Sequence, residues 1–281
     1  MEKRMLNQEQ VQKMLPQRNP NAHKGDFGKI LLLCGSRGYT GAAALATMGA
    51  LRSGAGLVYL GVPEDIYAIE AVKLTEPVVL PLPGVDGKLS TEAVPQIMEL
   101  LPKMDAVLIG CGLGQSQGTL DVLKAVLQAE LPLVVDADGI NLLSKHKYLL
   151  RGRTAPTILT PHDGEFIRLA GTLGEDRPMA AAELARKLRC IVVLKGHETL
   201  ITDGEICYHN QTGNPGMAVG GSGDMLAGMV VSLLGQGLKP LEATAVAVWL
   251  HGAAGDVCAK ELGQYGMLPT DMLNALPRLM K

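Results

Sequence analysis

The chain has 281 residues, 47% of them hydrophobic and 3% aromatic, and a formal net charge of −2 at pH 7. That length fits one large domain or two small ones, and so few aromatics leave little surface on which single-stranded nucleic acid could stack. Both charge signs are dispersed, so there is no basic stripe to attract nucleic acid or an anionic membrane.

In chain order, MEKRMLNQEQVQKMLPQRNP (1–20) lacks the apolar stretch of a secretory signal. No apolar run reaches the ~20 residues needed to span a bilayer, so a cytoplasmic protein is expected. The cysteines at 34, 111, 190, 207 and 258 are irregularly spaced and include no CxxC pair. That favours buried free thiols over a disulfide framework or a zinc site. KILLLCG (29–35) predicts a buried strand, TGAAALATMGALRSGAG (40–56) a small-residue helix ending in Gly54 and Gly56, and LVYLGV (57–62) a second strand. DAVLIG (105–110), LPLVVDAD (131–138), TILTPH (157–162) and CIVVLKG (190–196) predict further strands, with helical stretches such as 117–130 and 180–189 between them. Continuous Val/Ile/Leu runs without alternation suit a parallel sheet buried on both faces. After Lys195 the rhythm changes to a hairpin over 199–210 about Asp203-Gly204, then helices over about 224–236, 241–262 and 270–280, with Thr270 as N-cap of the last.

This order predicts an α/β fold with a mostly parallel central sheet. With no repeat or linker-like segment, 1–281 reads as a single domain in which 1–22 are a lead segment. Ligands of such sheets collect at the C-terminal ends of the strands. Gly35-Ser36, Gly110–Gly114, Asp136–Asp138, Thr160–Glu165 and Lys195–Thr199 should therefore share one cleft with a glycine-rich loop further on.

That loop is GGSGD (220–224), at the head of a long apolar helix. Glycines let backbone N–H groups turn inward, and a helix start adds free N–H groups and a positive dipole end, together an anion site. A carboxylate there suits a base acting on an attacking hydroxyl, but Asp224 would equally serve as a plain helix cap. Lys195, at a strand end, reads either as a phosphate contact or as a solvated lysine before a turn. In LTPHDGEF (159–166), His162 could bond a polar substrate and Glu165 could support magnesium through water; alternatively Asp163 and Glu165 simply favour a helix N-terminus. The small residues at 41–44 admit either a flat ligand or close helix packing. IGCGLGQSQG (109–118), with Asp136 beyond it, resembles a dinucleotide fingerprint but has GxGxxxG spacing, and also fits a glycine-lined substrate loop. No P-loop, GxSxG elbow or HExxH motif occurs. His251, inside an apolar helix, reads as a core histidine with its polar atoms satisfied.

Taken as an ordered set, HKGDFGKILLLCGS, GAAALA, LTPHDGEF, VLKGHET and NPGMAVGGSGDMLAGM resemble the ADP/ATP-dependent NAD(P)H-hydrate dehydratases of the ribokinase-like superfamily, from about His23 to the C-terminus. The resemblance implies a three-layer αβα sandwich and a repair enzyme acting on hydrated NADH or NADPH. ADP or ATP is the implied co-substrate, with Mg2+. The family's proposed chemistry phosphorylates the ring hydroxyl and expels phosphate, leaving AMP when ADP is used. It implies Asp224 as base and Gly221, Ser222 and Gly223 as the anion hole. Lys195, Gly196, His197, Glu198, Thr199 and Gly223 would bind nucleotide. Ala43, Gly112, His162 and Asp224 would contact the hydrate, and Glu165 would support magnesium. Two departures stand out: Asp163 where relatives often carry proline, and Ser222 where they often carry threonine.

The resemblance also implies a homo-oligomer, often a tetramer, and a preference for ADP. Some relatives carry a fused epimerase domain; with about 22 residues before His23, a separate epimerase is expected here. Three rivals stay open on the sequence: a vitamin-precursor or sugar kinase sharing the GxGD element, an NAD-dependent oxidoreductase built on GCGLG, and a silent nucleotide-binding regulator.

Overall fold

A computed structural model describes residues 1–281. The first half of the chain holds β1 (Glu2–Arg4), α1 (Gln8–Met14), β2 (Lys29–Leu33), α2 (Thr40–Arg52), β3 (Leu57–Pro63), α3 (Glu64–Lys73), β4 (Val78–Leu82), β5 (Gly84–Val85), β6 (Lys88–Leu89), α4 (Val94–Leu100), β7 (Ala106–Ile109) and α5 (Gln117–Gln128). The second half holds β8 (Leu133–Val135), α6 (Ala137–Lys145), β9 (Thr157–Leu159), α7 (Asp163–Ala170), α8 (Arg177–Leu188), β10 (Ile191–Leu194), β11 (Leu200–Thr202), β12 (Ile206–His209), α9 (Ser222–Gly235), α10 (Pro240–Leu262) and α11 (Pro269–Leu279). Ten strands form one sheet in the order β1-β12-β11-β10-β9-β8-β7-β2-β3-β4, and β5 pairs with β6 apart from it. Only β11 runs antiparallel to its neighbours in the large sheet. No helix is long and apolar enough to cross a membrane.

The apolar strand runs are explained by burial on both faces. Ile30 and Leu32 of β2 belong to one core with α2, α9, α10 and α11, whereas Leu31 and Leu33 belong to the other with α4, α5, α6, α7 and α8. Successive side chains of a strand point to opposite faces, so a strand that is apolar throughout needs a helical layer on each side. The result is three layers, α/β/α.

The sequence reading gave no element to the lead segment, yet Glu2–Arg4 pair in parallel with β12. Asn7 caps α1, accepting from the Gln10 N–H while the Gln10 side chain accepts from its own. A three-residue charged, exposed strand carries no hydrophobic period to detect. Pro81 hides β4 in the same way; the strand pairs with β3 alone, at the sheet edge, where a missing N–H costs nothing. The expected hairpin is present: Asp203 accepts from the N–H groups of Glu205 and Ile206, both at 2.9 Å, and Gly204 has φ +102°. The expected N-cap at Thr270 is not. The last helix begins at Pro269 behind Leu268, whose N–H donates to the Asp271 carboxylate at 2.8 Å, so Thr270 lies inside the first turn. The first predicted helix stops early, at Arg52.

The small residues of α2 serve helix-on-helix packing. A Cβ on Gly228 of α9 would stand 2.8 Å from the Ala46 carbonyl carbon and 3.0 Å from the Ala50 nitrogen, and one on Gly49 would run into the Met225 carbonyl. This crossing sets the first turns of α9, at Met225 and Gly228, against the second half of α2, at Ala46, Gly49 and Ala50. In an ordinary helix Gly→Ala gains up to about 1 kcal/mol; overpacking a core costs ~1–3 kcal/mol. Gly228→Ala should therefore lower the melting temperature by several degrees in a thermal scan. An unchanged or higher value would mean that the two helices separate without cost.

Candidate active site

Strands β2, β7, β8, β9 and β10 are parallel, so the loops that follow them emerge along one edge. Hydrogen bonds stitch those loops together. The Gly35 N–H donates to the Cys111 carbonyl at 2.8 Å, the Ser36 hydroxyl to the Gly112 carbonyl at 2.7 Å, and the Lys195 N–H to the Pro161 carbonyl at 2.9 Å. The Asp138 N–H reaches the Gly110 carbonyl at 3.2 Å, and the Gly114 N–H reaches the Asp138 carboxylate at 2.8 Å. The five strand-end segments form one rim, as expected.

At its centre stands Lys195. Its Nζ lies 2.8 Å from Asp136 Oδ1 and 4.0 Å from Glu165 Oε2. The Thr160 hydroxyl donates to the same Asp136 oxygen at 2.7 Å, and the Cys111 thiol donates to the other at 3.7 Å. Ligand atoms of Cys111, Asp136 and Asp224 all lie within 4.8 Å of one another. A Cβ on Gly223 would stand 3.3 Å from Lys195 Nζ, so the glycine loop meets the lysine directly. Asp136 is aimed by a strained turn: Ala137, the first residue of α6, has φ +46°, sparsely populated for a residue with a Cβ. From the sequence Asp136 reads only as one of several strand-end residues and as the acid of a dinucleotide fingerprint. Its bonds to Lys195 and Thr160 give it a different place, and no sequence spacing announces a contact between residues 136 and 195.

Three carboxylates around one ammonium leave an excess of two negative charges. Burial and the charge of Asp136 raise the pKa of Asp224, against a hydrogen bond from Cys111 and the charge of Lys195. Burial alone would lower the pKa of Lys195, but Asp136 and Glu165 outweigh it and the ammonium is held more firmly than in water.

The glycine loop enters α9 at Ser222, with Gly221 at the cap position and φ +96°. Asp224 is thus the third helical residue and not the cap. The Ser222 N–H makes a long 3.4 Å bond to the Val219 carbonyl, whereas those of Gly221 and Gly223 have no backbone acceptor.

His162 caps α7: its Nδ1 accepts from the N–H groups of Gly164 at 3.0 Å and Glu165 at 3.4 Å, and Glu165 Oε2 accepts from the His162 N–H at 2.9 Å. The charge of Asp163 is answered by Arg177, one of whose nitrogens bonds both carboxylate oxygens at 2.7 and 2.8 Å. Arg177 also reaches the Lys195 carbonyl at 3.5 Å and so ties the two loops together. Gly196, His197 and Glu198 form an exposed turn, closed by the Thr199 hydroxyl on the Gly196 carbonyl at 3.0 Å. Gly112 has φ +60° and lies so close to Tyr39 and Ala42 that a Cβ would come within 2.8 Å of both side chains. Ala43 is fully buried and packs toward Gly35.

Known proteins are similar to this chain in sequence and fold. A family profile described as NAD(P)H-hydrate dehydratase matches residues 30–278. A bifunctional NAD(P)H-hydrate repair enzyme of Moorella thermoacetica is 43% identical over 287 positions, covering 99% of this chain and 54% of that protein. The chain spans about half the length of the bifunctional relatives it matches. The ADP-dependent (S)-NAD(P)H-hydrate dehydratase of Bacillus subtilis is 37% identical over 281 positions, covering 98% of this chain and 96% of the relative. A crystal structure of the B. subtilis ADP/ATP-dependent enzyme, co-crystallised with ATP and Mg2+, superposes with TM-score 0.84 at 34% identity, over 97% and 96% of the two chains. A ribokinase-like superfamily protein of Enterococcus faecalis superposes with TM-score 0.88 at 32% identity, over 99% and 95%.

Behind the loop, His251 of α10 is 7% exposed, and its Nε2 lies 3.3 Å from the Ser222 hydroxyl. Burial pushes its pKa from 6.5 down to about 4, so the ring stays neutral. Between those two values an unfolded chain binds a proton that the folded one refuses. Stability should therefore fall as pH drops from about 6.5 to about 4, by up to ~3 kcal/mol from this residue. Denaturant titrations across that range should show a shallower acid loss for His251→Asn than for the wild type; parallel curves would mean that His251 protonates freely in the fold.

Proposed function

Because this chain belongs to the NAD(P)H-hydrate dehydratase family, we propose that it removes water from hydrated NADH or NADPH, consuming ADP or ATP. The observation that carries this reading is the placing of one half-buried carboxylate, Asp224, with a raised pKa, beside the free N–H groups of a glycine loop and the Lys195 ammonium. Asp224 takes the proton of the ring hydroxyl, whose oxygen attacks the terminal phosphorus of the nucleotide. The bond from that phosphorus to the departing nucleotide breaks, releasing AMP from ADP. The ring carbon–oxygen bond then breaks, phosphate leaves, and a proton is lost from the neighbouring carbon to restore the ring double bond. The N–H groups of Gly221 and Gly223 face the charge that develops on the transferring phosphoryl group, with that of Ser222 available once its long bond to Val219 is given up.

Lys195 holds the nucleotide's phosphates, and Gly196, His197, Glu198 and Thr199 line the nucleotide's place beside it. Gly112 and Ala43 shape the hydrate's place through close backbone approach; His162 offers it the ring nitrogen that does not cap α7. The residues also fit magnesium. Oxygen donors in net negative excess are what that ion prefers, and Glu165, whose Oε2 lies 4.0 Å from Lys195 Nζ, would hold it through water. When bound, magnesium neutralises phosphate charge. ADP as the preferred nucleotide, a homo-oligomer, a cytoplasmic setting and an epimerase acting on the same metabolite belong to the same reading.

The test supplies hydrated NADH with ADP and with ATP in separate reactions. NADH absorbance should return with one phosphate released per turnover; a stable phosphorylated product would instead indicate a kinase. Asp224→Asn should lower kcat by about 10²–10⁴-fold with little change in nucleotide affinity, and Lys195→Ala should weaken nucleotide binding. Because Asp224 must be ionised to act, activity should fall with decreasing pH through a value above the usual 3.8. An acid limb at or below 3.8 would remove Asp224 as the base.

A further inference from the structure

The glycine loop cannot hold its own shape. Glycine is the residue with most conformational freedom to lose, yet donors aimed at a phosphoryl group work only if they are fixed beforehand. The loop has few backbone bonds, the 3.4 Å contact from the Ser222 N–H to the Val219 carbonyl and the 3.1 Å bond from the Met225 N–H to the Gly221 carbonyl, and around Gly220 there is open space. Leu45 and Pro269 lie against Gly221.

Further contacts come from about two turns of α10, Trp249 to Asp256. The Thr212 hydroxyl donates to the Trp249 carbonyl at 2.8 Å. Gly252 lets the chain pass close, since a Cβ there would stand 2.6 Å from the Thr212 carbonyl, and a Cβ on Gly255 would stand 2.7 Å from Met217 Cγ. The Asp256 carboxylate accepts from the Gly213 N–H at 2.9 Å and from the Asn214 side-chain amide at 3.0 Å. Asn214 in turn accepts from the Gly216 N–H at 3.0 Å. At the far end His251 meets the Ser222 hydroxyl. The segment 212–222 is thus gripped at both ends by one rigid helix.

We propose that His251 and Asp256 are positioning residues for the phosphate-binding loop, Asp256 by anchoring the chain that leads into it and His251 by fixing Ser222 at the head of α9. This rests on the reading that residues 221–223 face the transferred phosphoryl group. Neither side chain touches substrate; both act through backbone they hold still. A misplacement of about 1 Å at such a site is worth up to about 100-fold in rate.

A double-mutant cycle tests it, read as recovery of NADH from hydrated NADH with ADP, on variants whose melting curves show a folded protein. Ser222→Ala and His251→Phe should each lower kcat by between about 10- and 100-fold, and the double variant should be no slower than the worse single one. His251→Gln, whose amide can still hydrogen-bond the Ser222 hydroxyl, should recover most of the loss. Asp256→Asn, a conservative change at an exposed residue, should slow turnover without moving the adenosine affinity measured by calorimetry. Multiplying effects in the cycle, or a glutamine variant as slow as phenylalanine, would overturn the role of His251. Unchanged kcat in Asp256→Asn would overturn that of Asp256. A wild-type protein that regenerates no NADH would instead count against the proposed function itself.

Discussion

The ion pair between Lys195 and Asp136 organises the site on which the fold converges. A buried charge is tolerated only when it is paired and bonded, and Asp136 meets that condition twice, through the Lys195 ammonium at 2.8 Å and the Thr160 hydroxyl at 2.7 Å. Removing either partner of such a pair would strand the other, a larger loss than the pair itself is worth. The pair joins the end of β8 to the end of β10 across β9, so it exists only if three parallel strands stop at the same level. Asp224 then feels both members of the pair: beside burial, the charge of Asp136 raises its pKa and that of Lys195 lowers it.

Two helix contacts bring the glycine loop to that pair. The close crossing of α2 and α9, made possible by Gly49 and Gly228, fixes where α9 begins. The grip of α10 on residues 212–222 fixes how the chain arrives there. Rigid helices therefore frame a segment of low intrinsic order. Binding groups on loops held by a scaffold are common; here the scaffold reaches the loop through glycines on its own helices.

Much of this was legible in order along the chain. Continuous apolar runs gave the buried parallel strands, and strand ends gave the rim of five loops, because a parallel sheet leaves little freedom in where such loops emerge. Asp203-Gly204 gave the hairpin. The elements at the edges escaped: Glu2–Arg4 is too short and charged, and Pro81 breaks the pattern of β4. Thr270 looked like a cap by residue type, but the proline before it starts the helix one position earlier. Reading Asp224 as a cap failed for a related reason, since Gly221, with φ +96°, had already turned the chain into the helix.

The sequence by itself determined the layered α/β class, the family, and the residue types gathered at the strand ends, because these depend on local pattern and on motif order. Only the tertiary structure decided which of those groups meet. Asp136 and Lys195 are 59 positions apart, Ser222 and His251 are 29 apart, and Asp163 and Arg177 are 14 apart. No periodicity links such pairs. Their contacts follow from strand order, helix crossing and the close approach that glycine permits, which are properties of the packed chain as a whole.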